Sequence, residues 1–331
     1  MTRCAVVGAG AWGTALANVL ATNGHDVVIW AREDDVVESI NAERVNTRFL
    51  AGHQLEPALR ATGRLDDAVR DAELVVFAAP SHALRSVAAQ ARRSVGQDAP
   101  LVVATKGIER ETFALMTDVV ETELPGRPVV ALSGPSFAAE VAERQPTAVV
   151  AASSDESAAL RTQELFANVF FRVYTQTDVR GVELGGSLKN VMAVATGMAE
   201  GLGLGYNSRA ALITRGLAEM TRLGVALGAS SRTFAGLAGI GDLVLTCTGA
   251  LSRNRALGVE IGKGRTLEEA LAGRETVAEG VFTAQSAFEL AGKRGIEMPI
   301  VETVHRALFE QYPVRKALDD LMRRELRAEH D

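Results

Sequence analysis

The residues best suited to chemistry fall in four short stretches. Gly8-Ala9-Gly10-Ala11-Trp12-Gly13 matches G-x-G-x-x-G; it follows the β-branched run Arg3–Gly8 and continues as Thr14-Ala15-Leu16-Ala17-Asn18-Val19-Leu20. In that setting Gly8 permits a tight turn, Gly10 lets the backbone approach a pyrophosphate, and Gly13 allows a helix to pack closely on a strand with its N-terminus aimed at the anion. Trp12 is too bulky to be read easily as helix core, so it is expected to cover the bound ligand, with a surface tryptophan as the alternative. Lys106, in Ala104-Thr105-Lys106-Gly107, follows an expected strand and stands at the carboxyl edge where ligands of such sheets gather. From spacing alone, a surface loop lysine fits equally well. Lys189 follows Gly185-Gly186-Ser187, whose small side chains let another backbone or a ligand come close. Desolvation or a neighbouring Lys106 would lower its pKa from the usual ~10.4 and ease proton transfer; a solvated helix lysine is the plain alternative. Asp242 lies between Gly239-Ile240-Gly241 and the apolar run Leu243-Val244-Leu245. If buried it needs a partner, for which the Lys189 ammonium would serve; otherwise it is a helix N-cap. Ser252-Arg253-Asn254-Arg255 could hold a phosphate if Ser252 caps a helix through Ala256–Ile261 and Arg253 closes over the anion, but read alone it is simply a capped basic helix start.

These stretches need a scaffold. Up to about residue 178, short β-branched runs alternate with amphipathic stretches, as in a parallel sheet covered by helices. Strands are expected at Arg3–Gly8, Asp26–Ala31, Leu74–Ala78, Leu101–Ala104, Val129–Leu132, Thr147–Ala151 and Phe171–Tyr174, with a weaker one near Leu59–Thr62. Helices are expected at Gly13–Asn23, Ser81–Arg92, Phe113–Glu123 and Glu156–Ala167. From Val179 onward long Leu-, Ala-, Met- and Glu-rich segments take over, joined at glycine clusters. The fold class is thus an α/β, Rossmann-like, doubly wound domain over 1–178 followed by an all-α domain over 179–331. After the second strand the sequence reads Trp30-Ala31-Arg32-Glu33. Arg32 stands near the place of the ribose-binding carboxylate, which favours the 2′-phosphate of NADPH, while Glu33 leaves NADH open. In Gly134-Pro135-Ser136-Phe137-Ala138, Pro135 fixes a turn and Ser136 is expected to cap the next helix.

At 331 residues the chain exceeds the ~250–300 at which single cores stop growing, so two domains are expected. A net charge of −6 argues against a nucleic-acid binder, which needs a basic face to displace counterions. Cys4 and Cys247 are too few for a disulfide framework and fit a reducing cytoplasm. The N-terminal residues could pass for a weak signal peptide, but they form the nucleotide-binding pattern instead. His25, His53, His82, His305 and His330 show no ligand spacing, so no metal is expected. No apolar run is long enough for a membrane span.

Ordered motifs through nearly the whole chain resemble bacterial NAD(P)-dependent glycerol-3-phosphate dehydrogenases: GAGAWGTALA at 8–17, ATKGIE at 104–109, LSGPSFAAEV at 132–141, GVELGGSLKNVMAVATGM at 181–198, ALITRGLAEM at 211–220, AGIGDLVLTCTGALSRNR at 238–255 and EGVFTA at 279–284. The resemblance implies reversible reduction of dihydroxyacetone phosphate to sn-glycerol 3-phosphate, which supplies the glycerophospholipid backbone. It implies that Lys189 is the acid/base and that Asp242 orients it. Lys106 would contact both substrate and cofactor, as would Arg253. Gly134, Ser136, Asn190, Thr246, Ser252 and Asn254 would lie at the substrate. Gly8, Gly10, Ala11, Trp12, Gly13, Arg32, Phe49, Ala138, Val277 and Glu279 would lie at the cofactor, although Glu279 could otherwise be a solvated surface charge. Two other readings stay open: a related hydroxy-acid or sugar-acid dehydrogenase, which has no evident need of a phosphate cradle, and an NADPH-sensing module without turnover. The oligomeric state is open too, a homodimer included.

Overall fold

In the computed structural model, residues 1–273, 278–326, 328 and 329 are described. Eight strands form one sheet in the order β3-β2-β1-β4-β5-β6-β7-β8. They are β1 Arg3–Val7, β2 Asp26–Trp30, β3 Leu59–Thr62, β4 Leu74–Phe77, β5 Leu101–Val103, β6 Val129–Ser133, β7 Thr147–Ala152 and β8 Phe171–Gln176. The central strands are apolar at nearly every position because helices cover both faces. Cys4, Val6, Val27, Ile29, Leu74 and Val76 enter one core cluster, while Ala5, Val7, Val28, Val75 and Phe77 enter the cluster on the opposite face. That alternation is the two-residue period of a strand buried on both sides.

The sheet is not wholly parallel. β7 pairs with β6 antiparallel and carries β8 with it. The connection from Ser133 to Thr147 holds only the short helix Ala138–Ala142, too little for the crossover that would return the chain in the same direction. Two expected helices start elsewhere. The first begins at Ala11 rather than Gly13, since the end of the glycine motif already forms its first turn. The other begins at Met116 rather than Phe113. Phe113 is left-handed at φ 59°, in a turn where the Glu109 N–H donates to the Ala114 carbonyl.

Beyond β8 every described element is helical. Asp178 starts the first of these helices, Val179–Gly201, by accepting from the Gly181 N–H at 3.0 Å, and its other oxygen takes the Ser230 N–H and the Thr233 hydroxyl. This helix is buried from Gly181 to Ala199 and forms the centre of the helical domain. Backbones meet along it: a Cβ on Gly258 would strike the Val194 carbonyl, and one on Gly197 the Arg255 carbonyl, so the Arg253–Gly262 helix lies directly against it. Among the described residues, no helix is long and apolar enough to cross a membrane.

Candidate active site

At the dinucleotide loop, Gly8 adopts φ 117°, and a Cβ there would sit 2.7 Å from the Ala79 nitrogen. A Cβ on Gly13 would collide with the Gly8 carbonyl oxygen, whereas one on Gly10 would meet nothing within 4 Å. The loop is therefore packed tight on the sheet side and open on the other. The Ala11–Thr22 helix has no side-chain cap at its N-terminus, so its first N–H groups suit a pyrophosphate. Ala11, Trp12, Phe49 and Ala138, from separate parts of the sequence, all lie half-buried against one core cluster. Trp12 packs more than a loose cover would, yet its buried indole N–H has no partner among the described residues. Arg32 follows β2, whose Trp30 carbonyl accepts from the Gly8 N–H. Its side chain is 82% exposed and pairs with Glu33 at 2.8 Å. These features fit a bound dinucleotide. Val277 lies outside the described residues.

In the helical part, the small residues before Lys189 each receive a neighbour. A Cβ on Gly185 would strike the Ala238 carbonyl, so the segment Leu237–Gly241 can press against the helix and deliver Asp242, the first residue of the Asp242–Thr248 helix. A Cβ on Gly186 would lie 2.5 Å from the Ser133 hydroxyl. Ser187 donates to the Gly107 carbonyl at 3.1 Å and so ties down the turn carrying Lys106. Asp242, fully buried, pairs with Lys189 through one oxygen and with Lys106 at 2.7 Å through the other. Its side chain is thus an ion-pair acceptor rather than a helix cap. Lys106 also reaches the Gly134 carbonyl at 3.4 Å. Burial, opposed by Asp242 and reinforced by the Lys106 charge, lowers the Lys189 pKa to about 7. That suits a group that both gives and takes a proton near neutrality.

The remaining expected residues fall around this triad. Thr246 donates to the Asp242 carbonyl at 2.7 Å, and its hydroxyl lies 3.4 Å from the carboxylate. Ser252 caps the Arg253–Gly262 helix by accepting from the Arg255 N–H at 3.2 Å. Gly280 donates its N–H to Asn254 Oδ1, and Asn254 Nδ2 donates to Asn190 Oδ1, both at 2.9 Å. Because a backbone N–H can only donate, this chain fixes both amides and leaves the Asn190 NH2 without a partner among the described residues. Gly134 adopts φ 146° against Val149. Ser136 does not cap the following helix, whose N-cap is Phe137; its hydroxyl donates to the Gly134 carbonyl at 3.0 Å. Glu279 is not a solvated surface charge. It accepts the Ser81 N–H at 3.1 Å and the Ser81 hydroxyl at 2.6 Å, joining the helical domain to the sheet domain, and burial raises its pKa.

Three participants escape a reading of the sequence. Asn46, fully buried, donates to the Ala9 carbonyl and to Thr14 Oγ1 at 2.8 Å each, bracing the glycine loop. Ser133 presents a buried hydroxyl with no partner among the described residues, close to Gly186 as the Lys106 side chain is. Ser81 holds Glu279. The partnerships of Asn46 and Ser81 join distant parts of the chain, and no local spacing signals them or the placing of Ser133.

The chain matches the family described as NAD-dependent glycerol-3-phosphate dehydrogenase, with the N-terminal part over residues 3–159 and the C-terminal part over 178–319. It is 54% identical over 330 residues to the glycerol-3-phosphate dehydrogenase [NAD(P)+] of Geobacter sulfurreducens, covering 99% of this chain and 98% of the relative. The same-named protein of Geobacter sp. strain M21 is 52% identical over the same shares. The crystal structure of glycerol-3-phosphate dehydrogenase from Coxiella burnetii superposes with a TM-score of 0.94 at 41% identity, covering 98% of this chain and 99% of that one. With a glycine loop open at Gly10, a buried lysine–carboxylate–lysine triad, and this likeness over nearly its whole length, the chain belongs to the NAD-dependent glycerol-3-phosphate dehydrogenase family.

Proposed function

We propose that this protein catalyses the reversible NAD(P)H-dependent reduction of dihydroxyacetone phosphate to sn-glycerol 3-phosphate in the cytoplasm, with 1–178 as the cofactor unit and 179–331 as the substrate unit. The carrying observation is Lys189, buried against Asp242 with Lys106 on the other carboxylate oxygen and its pKa drawn down to about 7. The cofactor, when bound, supplies the hydride. Lys189 donates its Nζ proton to the oxygen of the ketone as it becomes an alkoxide, and takes that proton back when the alcohol is oxidised. The Lys106 charge and the Asn190 amide stabilise the developing negative oxygen. Asp242 keeps Lys189 aimed and offsets part of the cost of burying its charge.

The substrate phosphate is held at the N-terminus of the Arg253–Gly262 helix, with Arg253 as the cation and Gly134, Ser136, Ser252 and Asn254 around it. The glycine loop and the Ala11–Thr22 helix take the pyrophosphate. Arg32 leaves Glu33 to meet a 2′-phosphate, which favours NADPH. The test is NADPH oxidation with dihydroxyacetone phosphate beside unphosphorylated dihydroxyacetone. Rapid turnover of the phosphate ester and little of the plain ketone supports the assignment. Equal rates, or none with either, would remove it.

A further inference from the structure

Arg255 follows the proposed phosphate cradle, yet its side chain turns away from the triad. Its Nε donates to the Gly249 carbonyl at 3.1 Å, and its Nη1 reaches Glu200 Oε2 at 2.5 Å. Its backbone N–H serves the Ser252 cap. One residue therefore grips three parts of the site. Gly249 ends the helix that begins at Asp242, Ser252 opens the helix that carries Arg253 and Asn254, and Glu200 lies near the end of the helix that carries Lys189 and Asn190. The same Glu200 oxygen also accepts from Arg209 Nη2 at 2.9 Å, which fixes the carboxylate from a second side. On its other face the turn is confined too: a Cβ on Gly249 would lie 2.5 Å from the Phe137 ring, next to Ser136. The turn 249–252 is thus clamped between the Arg255 fork and the sheet domain's substrate loop.

We propose that Arg255 and Glu200 are a positioning pair that sets the phosphate cradle at a fixed reach from Lys189, so that the site accepts a phosphate ester of one length. This rests on the assignment of Arg253 and its helix to the substrate phosphate. Neither residue touches substrate. The planar guanidinium does what a lysine cannot, since a point charge reaches the Gly249 carbonyl or Glu200 but does not hold both in a fork. Glu200 also borders a surface cleft of about 410 Å³ shared with Arg255, so the clamp is solvated at its outer edge and its loss is expected to loosen the cradle rather than unfold the domain.

The experiment compares Arg255→Ala, Arg255→Lys and Glu200→Gln with Arg253→Ala, reading KM for dihydroxyacetone phosphate, kcat, competition by inorganic phosphate and NADPH affinity. Arg255→Ala should raise KM on the order of 10-fold or more and weaken phosphate competition in parallel, while kcat changes little and NADPH affinity is kept. Glu200→Gln should move KM in the same direction by less, and Arg255→Lys should recover part of the loss. Parental KM and phosphate competition in the Arg255 and Glu200 variants, with Arg253→Ala impaired, would overturn the pair and leave the cradle standing. An unimpaired Arg253→Ala would overturn the cradle itself. If Arg255→Ala fails to fold, the other two variants decide by the same readings.

Discussion

Replacing Asp242 by Asn keeps the shape and the hydrogen-bonding reach of the side chain but removes the one charge that two lysines share. The Lys189 pKa of about 7 is a balance in which burial and Lys106 lower it while Asp242 raises it. A carboxylate in contact with an ammonium at an effective dielectric of about 20 contributes on the order of 4 kcal/mol, or roughly three pKa units. Removing that carboxylate leaves burial and the Lys106 charge unopposed, so the Lys189 pKa falls further in the variant. Because the folded-state pKa lies below the ordinary lysine value, the protonated donor is lost as pH rises through it. The parent's kcat/KM for reduction should be level below about pH 7 and fall above it. In Asp242→Asn the fall should begin at clearly lower pH, with activity at pH 7 reduced on the order of 10-fold or more and part of the deficit recovered toward pH 5.5. Initial rates of NADPH oxidation from pH 5.5 to 9, with thermal melting to confirm folding, provide the assay. A variant whose profile is the parent's scaled down uniformly would refute the reasoning, since Asp242 would then not set the Lys189 pKa.

Other substitutions test other parts of the site. Arg32→Ala should weaken NADPH more than NADH; with the guanidinium largely exposed and already paired to Glu33, the difference should be about 1–2 kcal/mol, or ~5–30-fold by titration of each cofactor. Gly13→Ala must push its Cβ against the Gly8 carbonyl, so it should cost about 1–3 kcal/mol of stability and raise the dissociation constant of both cofactors, as read by melting and fluorescence titration. An unchanged melting temperature would mean that the helix can shift freely. Ser81→Ala removes a hydrogen bond to Glu279 from across the domain seam, and should weaken cofactor binding by roughly 1 kcal/mol with kcat largely kept, as measured by titration and initial rates.

The strands were legible because a sheet covered on both faces must be apolar at nearly every position, as β1 and β4 are. Their direction was not: β7 reversed looks the same in sequence as β7 parallel, and only the short connection after Ser133 distinguishes them. Phe113 fits the apolar spacing of a helix, and nothing in its residue type marks a positive φ. At the site, Asp242 pairs with both Lys189 and Lys106; the local signals of a small-residue approach, a strand end and a glycine-flanked turn fit a solvated lysine, a loop lysine and a helix cap equally well, and only the family resemblance favours bringing the three together. Ser136 was misread as a cap because a serine after Gly-Pro suits that role equally well, whereas here it closes on its own turn. The contacts of Asn46, Ser81 and Glu200 join distant parts of the chain, and only the fold shows them.

The central claim is that Lys189 moves the proton, and Lys189→Met tests it most directly. Met keeps most of the apolar stem inside the buried site while deleting the charge and the proton. Single-turnover oxidation of NADPH by dihydroxyacetone phosphate, with melting and NADPH titration run alongside, separates chemistry from binding. Loss of a positioned acid should slow the step by ~10²–10⁴-fold, about 3–5 kcal/mol of barrier, while folding and NADPH affinity stay near parental. A correctly folded Lys189→Met protein with near-parental turnover would contradict the account and pass the proton to Lys106 or to a bound water.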